Sequence, residues 1–576
     1  MMIHSSELFA RFNDPLQPPR YTNALTDCDF GDGYLMKTVI EQNILKVLTE
    51  IKNKPNWTKK IKNSQTREKW SKEFESRFEN KVINYAIDEA LYYSGKFTGS
   101  LVPGAVDCTY IGNNCVSEEL RNELKMNVAK LEDVPKHKKD WHPRSNKQVL
   151  DLVHPSIYPI VFGRTRGLTA DMSATRVPKW DSVIGKGQVK HIHIHQTEID
   201  VDPDARDETR YRSEKFQWIP TEFDVGADGK VKILSYINNL HPKIHENMYR
   251  TLEKIFEKFV PLFNNVLTDS CTQNCKNDKL RIKDKSYIVE EYVDYVNRVK
   301  KEGTARMNRG YFGEESDIDE YGYYYETYKD QKIVYAPQNY KFSPDSIPKN
   351  IISVDLKGSR LQVIVKLSNV ILTPENPKYK EGEWHVEGIQ NEEIVATGIY
   401  YYDQENITDS YFALRQSVCE PEYEEGDHKG VETIYGFENG DPLYQNLGKI
   451  KIVKNQMISF PNIYQHQVQD FELRDKTKPG YRKMLSFFLV NPKKRIYSTA
   501  HIPPQQLSWF EIELMKNKNK LSELPGLITD EISKTLDWPI SLKEAKKQRE
   551  ELLKERKFYV NKQNEDIFER ELDLGE

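Results

Sequence analysis

The sequence has few cysteines and no long apolar stretch. Its six cysteines, among 576 residues, form no CxxC pair and have no histidine at zinc-site spacing, which excludes a disulfide-stapled domain and a cysteine-rich zinc module. We expect free thiols in a reducing compartment. No apolar segment approaches the roughly 20 residues that a membrane helix needs, and the first residues lack the pattern of a signal peptide. We therefore expect a soluble, intracellular protein, cytoplasmic or nuclear.

The net charge is also small. Lys and Arg number 84 against 88 for Asp and Glu, which gives a formal charge of -4. A nucleic-acid or anionic-membrane binder would carry an excess of basic residues, so both classes are excluded as the main role. The partner we expect is a small-molecule or protein substrate, and the charged C-terminal helix allows a homodimer contact. The 33 tyrosines and a mean hydropathy of -0.73 indicate a polar chain with an aromatic core.

The apolar pattern changes along the chain. From about residue 34 to 94 apolar residues recur at helical spacing, and from residue 351 onward short strand-like runs alternate with polar turns. Several such strands at close intervals favour a jelly roll or barrel. A serine followed by acids predicts helix starts at Ser117 and Ser541. These patterns predict five segments: a mostly helical N-terminal region (1–135), an α/β segment packing on or contributing to the core (136–302), a Tyr-rich acidic insertion or flap (303–350), a jelly-roll catalytic core (351–505) and a helical C-terminal tail (506–576).

The motif WHVEG supplies two candidate metal ligands, His385 and Glu387. Residues two apart on a strand point to the same face, so both side chains can hold one ion. A second histidine must come from another strand, and His466 follows the strand-like segment that ends in FPN. Two imidazoles and one carboxylate on one face of the metal are typical of Fe(II) oxygenases. Arg482 begins the next apolar strand, where a guanidinium can pair with a carboxylate ligand.

The order HxE, long gap, His and Arg-headed strand resembles the double-stranded β-helix Fe(II)/2-oxoglutarate-dependent oxygenases over about residues 351–504. This resemblance implies an α+β protein with a cupin-like jelly-roll core, Fe(II), 2-oxoglutarate as co-substrate and hydroxylation of a substrate. It also implies that Tyr401 helps Arg482 to bind the co-substrate carboxylate, and strand parity puts Thr397 on the same face as Tyr401. Two features depart from the pattern. The acid is Glu387 where Asp is commoner, and the long approach from His466 leaves Lys483 as an alternative to Arg482.

A second resemblance covers most of the chain. The segments DWHPRSNKQVLDLVHPSIYPIVFGRTR, SYINNLHP, YYYDQENIT and HIPPQQ, together with WHVEG, are similar to a large fungal family defined by a domain of unknown function, DUF4246. That resemblance implies membership of a family and brings no reaction with it.

The segment KHIHIHQTE is the main rival metal site. His191, His193 and His195 would share one face of a strand, with Glu198 as a fourth zinc ligand. An exposed polar face that alternates with buried isoleucines explains the same pattern, and we favour that interpretation.

Other residues are weaker candidates, and two other functions stay open. Trp141, Arg164 and Asn369 are speculative substrate contacts, although WHP and GRTR also fit a packed turn and a solvated arginine pair. A catalytically silent jelly-roll protein that binds or recruits a partner is one alternative function. A cupin-like metalloenzyme without 2-oxoglutarate, for which Arg482 would have no role, is the other. The identity of the substrate does not follow from the sequence.

Overall fold

The protein has a mixed α+β fold with a large antiparallel sheet and several helices. The computed structural model describes residues 21–25, 34–97, 99–168, 176–191, 210–271, 281–282, 288–302, 327–328, 331–347, 351–421, 423, 427–516 and 538–575. The α-helices in these ranges are α1 (Val39–Lys52), α2 (Trp57–Lys60), α3 (Ser64–Phe74), α4 (Asn80–Lys96), α5 (Glu118–Glu132), α6 (Glu246–Ser270), α7 (Tyr292–Glu302), α8 (His428–Tyr435), α9 (Leu507–Lys516) and α10 (Leu542–Gln563). No described helix is long and apolar enough to cross a membrane.

The longest strands lie in the second half of the chain. The described strands are β1 (Leu101–Pro103), β2 (Tyr110–Asn113), β3 (Val149–Val153), β4 (Ile160–Val161), β5 (Arg166–Gly167), β6 (Gln188–Val189), β7 (Phe216–Gln217), β8 (Thr221–Val225), β9 (Val231–Ile233), β10 (Ile288–Val289), β11 (Val334–Tyr335), β12 (Ser359–Leu372), β13 (Lys378–Tyr379), β14 (Ile394–Glu405), β15 (Tyr411–Ser417), β16 (Tyr444–Lys451), β17 (Gln456–Pro461), β18 (Gln465–Val468), β19 (Phe471–Glu472) and β20 (Gly480–Val490). The strands predicted from residue 351 onward are confirmed at β12, β14, β16, β17 and β20.

Nine strands form the large sheet. Their order is β1-β2-β17-β14-β20-β12-β8-β9, and β3 pairs with β12 on the same edge as β8. The segments before residue 351 therefore extend the sheet at both ends. These short added strands were not all predicted, because a strand of three or four residues shows too few alternations to be recognised. Neither this sheet nor the smaller ones closes on itself.

A three-stranded sheet, β16-β15-β18, lies beside the large one. Apolar residues of both sheets belong to one buried cluster, which includes Ile399 and Phe460 of the large sheet and Phe412 of the small one. Residues of α1 and α4 complete this cluster. The space between the sheets is therefore an apolar core into which polar side chains enter at few positions.

The opposite face of the large sheet packs on α6. A Cβ at Gly398 would lie 2.7 Å from the ring of Phe259 and 2.9 Å from that of Phe263, so this strand position accepts only glycine without a shift of the rings. Close approach of α6 covers that face of β14 and leaves the other face for the site described below.

The predicted helices are largely confirmed. The N-terminal region contains α1 to α4, and the Ser117 hydroxyl caps α5. The Ser541 hydroxyl accepts a hydrogen bond from the Glu544 N–H at 3.2 Å and opens α10. His193, His195, Glu198 and most of the Tyr-rich segment lie outside the described residues, while His191 is exposed. The four described cysteines are free thiols.

Candidate metal centre

The WHVEG motif lies in a bent segment instead of the predicted strand. His385 forms an isolated antiparallel bridge with His466, and its backbone N–H and C=O bond the main chain of His466. The chain then turns at Gly388, which has a φ of 73°. A residue with a side chain would be strained there. The prediction of one strand carrying both His385 and Glu387 is therefore wrong, because the turn after Glu387 ends the pairing.

His385, Glu387 and His466 nevertheless converge. One ligand atom of each lies within 4.8 Å of the others. His466 Nε2 is 3.4 Å from a Glu387 carboxylate oxygen, and the two imidazole rings are 4.4 Å apart. His466 and Glu387 are buried, while His385 is partly exposed. Two imidazoles and a carboxylate are a donor set that a divalent iron or manganese ion takes.

Hydrogen bonds orient the ligands. The Nδ1–H of His385 donates to the Glu383 carbonyl at 2.8 Å, which leaves the Nε2 lone pair for an ion. The His466 ring is fixed by Phe412 and Phe460, each with its ring centre 5.1 Å away. The rotamers of both imidazoles are therefore set by packing and by the backbone.

The electrostatics of this cluster favour a cation. Burial and the neighbouring His466 ring lower the pKa of His385 to about 4. Burial raises the pKa of Glu387, but the hydrogen bond with His466 and the charge of Lys366 outweigh it and lower that pKa to about 2. Glu387 is therefore ionised and His385 neutral near pH 7, the protonation states that a metal ion requires.

The Asn462 side chain positions Glu387. Its Oδ1 accepts from the Glu387 N–H at 2.9 Å, and its Nδ2 donates to the Glu387 carbonyl at 2.9 Å and to the Ile394 carbonyl at 3.1 Å. The sequence pattern placed FPN at the end of a strand, and this role of its asparagine was not predicted. The signal that could have revealed the role is an amide side chain next to the strand predicted to carry a metal ligand.

The segment that follows the motif is braced by α10. Glu392 is fully buried. It accepts hydrogen bonds from the N–H groups of Ile389 and Trp218, both at 2.7 Å, and pairs with Arg556 at 2.6 Å. The Arg556 guanidinium lies 4.0 Å from the centre of the Trp218 ring. The packing of α10 thus fixes the chain where it leaves the WHVEG motif.

Arg482 enters the interior from β20. It has no exposed surface, and among the described residues it forms no ion pair. One Nη donates to the Ser410 hydroxyl at 2.9 Å, its Nε has no partner in the described part of the chain, and its guanidinium lies 4.3 Å from the Phe471 ring centre. Burial lowers the pKa of Arg482. A buried guanidinium without a counter-ion is costly unless a ligand supplies one.

Lys483 points the other way. Its ammonium contacts both oxygens of the Glu132 carboxylate at 2.8 Å. Adjacent strand residues face opposite sides of a sheet, so only Arg482 faces the interior. The structure therefore orients Arg482, and not Lys483, toward the interior.

Tyr401 and Thr397 share the face of Arg482. Tyr401 pairs with Met484 and Thr397 with Phe488, each an even number of residues from Arg482 on β20. Neither the Tyr401 hydroxyl nor the Thr397 hydroxyl has a hydrogen-bond partner among the described residues. Burial raises the pKa of Tyr401 to about 12, so its hydroxyl stays a donor. The Tyr401 hydroxyl, on a ring 5.6 Å from the Arg482 guanidinium, is a buried donor that fits an anionic ligand, whereas Thr397 lies opposite Phe488, six residues along β20 from Arg482.

The three speculative substrate residues lie elsewhere. Asn369 pairs with Lys483 in the sheet and donates to Glu132 at 2.6 Å. It therefore faces the side of the sheet opposite to that of Arg482. Arg164 forms a partly exposed ion pair with Glu544 of α10. Trp141 forms a bridge with Leu150 beside β3, next to the residues described below.

A second group of imidazoles and carboxylate lies near β3. His142, Asp151 and His154 also bring ligand atoms within 4.8 Å of one another. The His142 Nδ1 is 2.9 Å from an Asp151 oxygen, and Arg549 of α10 is 3.7 Å from the same oxygen. Of this group, only the WHP turn that contains His142 stood out in the sequence, since Asp151 and His154 lie in an apolar strand and in the turn after it.

Comparison with protein families places the chain in one of them. The family described as "Protein of unknown function (DUF4246)" matches residues 80–513, and its N-terminal domain of unknown function matches residues 10–73. The chain belongs to the DUF4246 family. No curated protein matches it.

The DUF4246 chain is also similar to parts of solved structures. One is a selenomethionine-labelled Fe(II)/α-ketoglutarate-dependent dioxygenase, TqaL, at 16% identity over 24% of this chain and 44% of that one, with a TM-score of 0.16. A bsmA homologue from Methylobium petroleophilum gives 8% identity over 23% and 43%, with a TM-score of 0.14. AviO1 from Streptomyces viridochromogenes gives 10% over 38% and 95%, also with a TM-score of 0.14. The DUF4246 chain spans less than half of the first two, and such scores do not establish a common fold.

Proposed function

We propose that this protein is an Fe(II)/2-oxoglutarate-dependent oxygenase of the hydroxylase type. The proposal depends on two features that lie in the same space between the large and the small sheet. Two histidines and a glutamate converge within 4.8 Å, and Arg482, with no exposed surface, enters the space between the same sheets without an ion pair to any described residue. A metal and an anionic co-substrate would satisfy both features.

The strand order supports a jelly-roll core for this site. WHVEG is not a strand, but the bridge of His385 with His466 of β18 gives it the place of one. With WHVEG counted second and the short β13 and β19 left out, the first to eighth segments in chain order are β12, WHVEG, β14, β15, β16, β17, β18 and β20. The large sheet then has the order first, eighth, third, sixth, and the small sheet the order second, seventh, fourth, fifth. Successive strands thus alternate between the two sheets, except for the fourth and fifth, which pair in the small sheet. This is the pattern of a jelly roll. We propose the double-stranded β-helix on this ground, although the sheets do not close.

Each residue has a proposed task. His385, Glu387 and His466 would hold Fe(II), with Asn462 fixing the main chain at Glu387. Arg482 and Tyr401 would bind the distal carboxylate of 2-oxoglutarate, with Thr397 as a further donor on that face. The iron and the 2-oxo acid supply the oxidative chemistry with dioxygen when they are bound. The protein orients both ligands, and the apolar side chains around His466 exclude water.

Anaerobic titration tests the proposal. Wild-type protein is titrated with Fe(II) and then with 2-oxoglutarate, while metal content and the charge-transfer absorption of the chelate are followed. We expect one metal per chain and an absorption that requires both additions. The double variant His385→Ala, Glu387→Ala should lose the metal. His142→Ala, which removes a member of the second cluster, is the matched control and should retain it.

Three results would decide against the proposal. Retention of the metal by the double variant would place the site elsewhere. Absence of charge transfer in the metal-loaded wild type would favour the metalloenzyme without 2-oxoglutarate. Failure to bind metal at all would leave a binding protein.

A further inference from the structure

Lys366 lies on the interior face of the large sheet, and its ammonium has no partner among the residues that the structure describes. It lies on β12 opposite Ser486 of β20, four residues from Arg482 along that strand. Residues an even number apart on a strand share a face, so Lys366 and Arg482 both face the interior. Lys366 is partly buried, and its ammonium makes no hydrogen bond or ion pair with the described residues.

Lys366 lies beside the second cluster in the register of the sheet. Its charge acts on His385 and Glu387 of the first cluster. It also acts on Asp151 and His154 of the second cluster. Leu367 pairs with Val153, so the register continued by one residue puts His154 directly opposite Lys366. Lys366 and His154 are therefore neighbours on the interior face of the large sheet, the face that Arg482 shares.

The second cluster is a hydrogen-bonding group and not a second metal site. The Ser156 N–H donates to His154 Nδ1 at 3.1 Å, so a neutral His154 carries its proton on Nε2 and has no lone pair there for an ion. Burial lowers the pKa of His154 to about 3, which keeps the ring neutral near pH 7. An Asp151 carboxylate oxygen lies 2.9 Å from His142 Nδ1 and 3.7 Å from the Arg549 guanidinium. This group therefore offers an N–H donor beside an unpaired ammonium.

We propose that Lys366 and the Nε2–H of His154 form an anion-binding subsite that receives a carboxylate of the substrate. The inference rests on the proposed function, since it names the substrate class of that site. Charge balance supports it. With a divalent metal and a dianionic 2-oxo acid bound, and with Asp151 paired to Arg549, the charges of Glu387, Arg482 and Lys366 leave one positive charge without a counter-ion among the described residues. Buried charge of one sign is unfavourable unless a ligand compensates it.

Matched pairs of acids and amides test the subsite. Protein loaded with Mn(II) and 2-oxoglutarate is titrated calorimetrically with hexanoate and hexanamide, with phenylacetate and phenylacetamide, and with N-acetyl-L-leucine and its amide. We expect at least one acid to bind roughly tenfold or more tightly than its amide, the usual effect of a charged hydrogen bond. Lys366→Met should remove this preference, and Lys366→Arg should retain it. Lys232→Met is the control, since Lys232 is exposed on the same sheet.

The same titrations separate this inference from the proposed function. The affinity for 2-oxoglutarate should change by less than about twofold in Lys366→Met. A large loss of that affinity would assign Lys366 to the co-substrate and overturn the inference. Equal binding of acids and amides, no binding of any acid, or an acid preference that survives Lys366→Met would overturn it too. If acids bind through Lys366 while wild type binds no 2-oxoglutarate, the subsite stands and the oxygenase proposal fails.

Discussion

Replacing Arg482 with methionine should separate the stability of the protein from its affinity for a ligand. Methionine keeps much of the length and apolar stem of arginine but carries no charge. In the metal-free protein the change removes a hydrogen bond to Ser410 and the contact with the Phe471 ring. It also removes the cost of burying a guanidinium without a counter-ion, so the two effects oppose each other.

The magnitudes nearly cancel in the free protein. A charged hydrogen bond contributes about 1.5–3 kcal/mol and a desolvated cation–π contact about 2 kcal/mol, against a desolvation cost of several kcal/mol per buried ion. We therefore expect the free energy of unfolding to change by no more than about 2 kcal/mol in either direction. Loss of the partner of a buried carboxylate costs about 3–5 kcal/mol, a roughly hundred- to several-thousand-fold weaker affinity for 2-oxoglutarate.

Urea unfolding with and without 2-oxoglutarate measures both the stability of the free protein and the stabilisation that the ligand adds. At a ligand concentration of about 100 times the wild-type Kd, binding should stabilise wild type by about 2.7 kcal/mol. At that concentration a hundredfold weaker variant should gain only about 0.4 kcal/mol. Lys483→Met is the matched control, because its side chain faces Glu132 on the other side of the sheet, and it should respond to the ligand like wild type.

Two results would refute the reasoning. A metal-free Arg482→Met variant that loses more than about 4 kcal/mol would show that the guanidinium is structural. Equal stabilisation of variant and wild type by 2-oxoglutarate would show that the co-substrate carboxylate is anchored elsewhere.

Three further changes test the site and its support. Asn462→Ala should weaken metal binding roughly tenfold and lower the free energy of unfolding by about 1–3 kcal/mol, because it frees backbone groups at Glu387; wild-type affinity in a metal titration would contradict this. Gly398→Ala should cost about 1–3 kcal/mol in urea unfolding through contact with the rings of α6, whereas Gly95→Ala, whose Cβ meets nothing within 4 Å, should cost nothing. At Asp403 burial raises the pKa, but hydrogen bonds from two lysines outweigh it and lower that pKa. Its contribution is therefore complete above about pH 4, the usual unfolded value, and is lost as pH falls through the lower folded pKa; Asp403→Asn should flatten the acid limb of stability against pH, and an unchanged limb would contradict this.

Much of the candidate site could be predicted from local pattern. His466 and Arg482 lie on β18 and β20, and each follows or begins an apolar run that can be recognised without any partner strand. Parity within β14 also put Tyr401 and Thr397 on one face. Period-two alternation reports on a single strand, and these residues needed nothing more.

The rest depends on pairing between distant segments. Asp151 reaches the interior face only because β3 pairs with β12, more than two hundred residues later in the chain. The turn at Gly388 and the Asn462 bonds that hold it likewise depend on contacts that no local period reveals. The side of the sheet that Asn369 faces is defined in the same way, by the register of β12 with β20.

The contact between Arg556 and Glu392 has a consequence for the order of biosynthesis. Glu392 lies just after the WHVEG motif, and its charge is matched by a residue that the ribosome adds after every strand of both sheets. A nascent chain that has completed all its strands still lacks this guanidinium, so the buried Glu392 carboxylate gains its cationic partner only once α10 has emerged. The proposed iron site would therefore be complete only after the sheets have been synthesised, because residues on both sides of those strands in the sequence contribute to it.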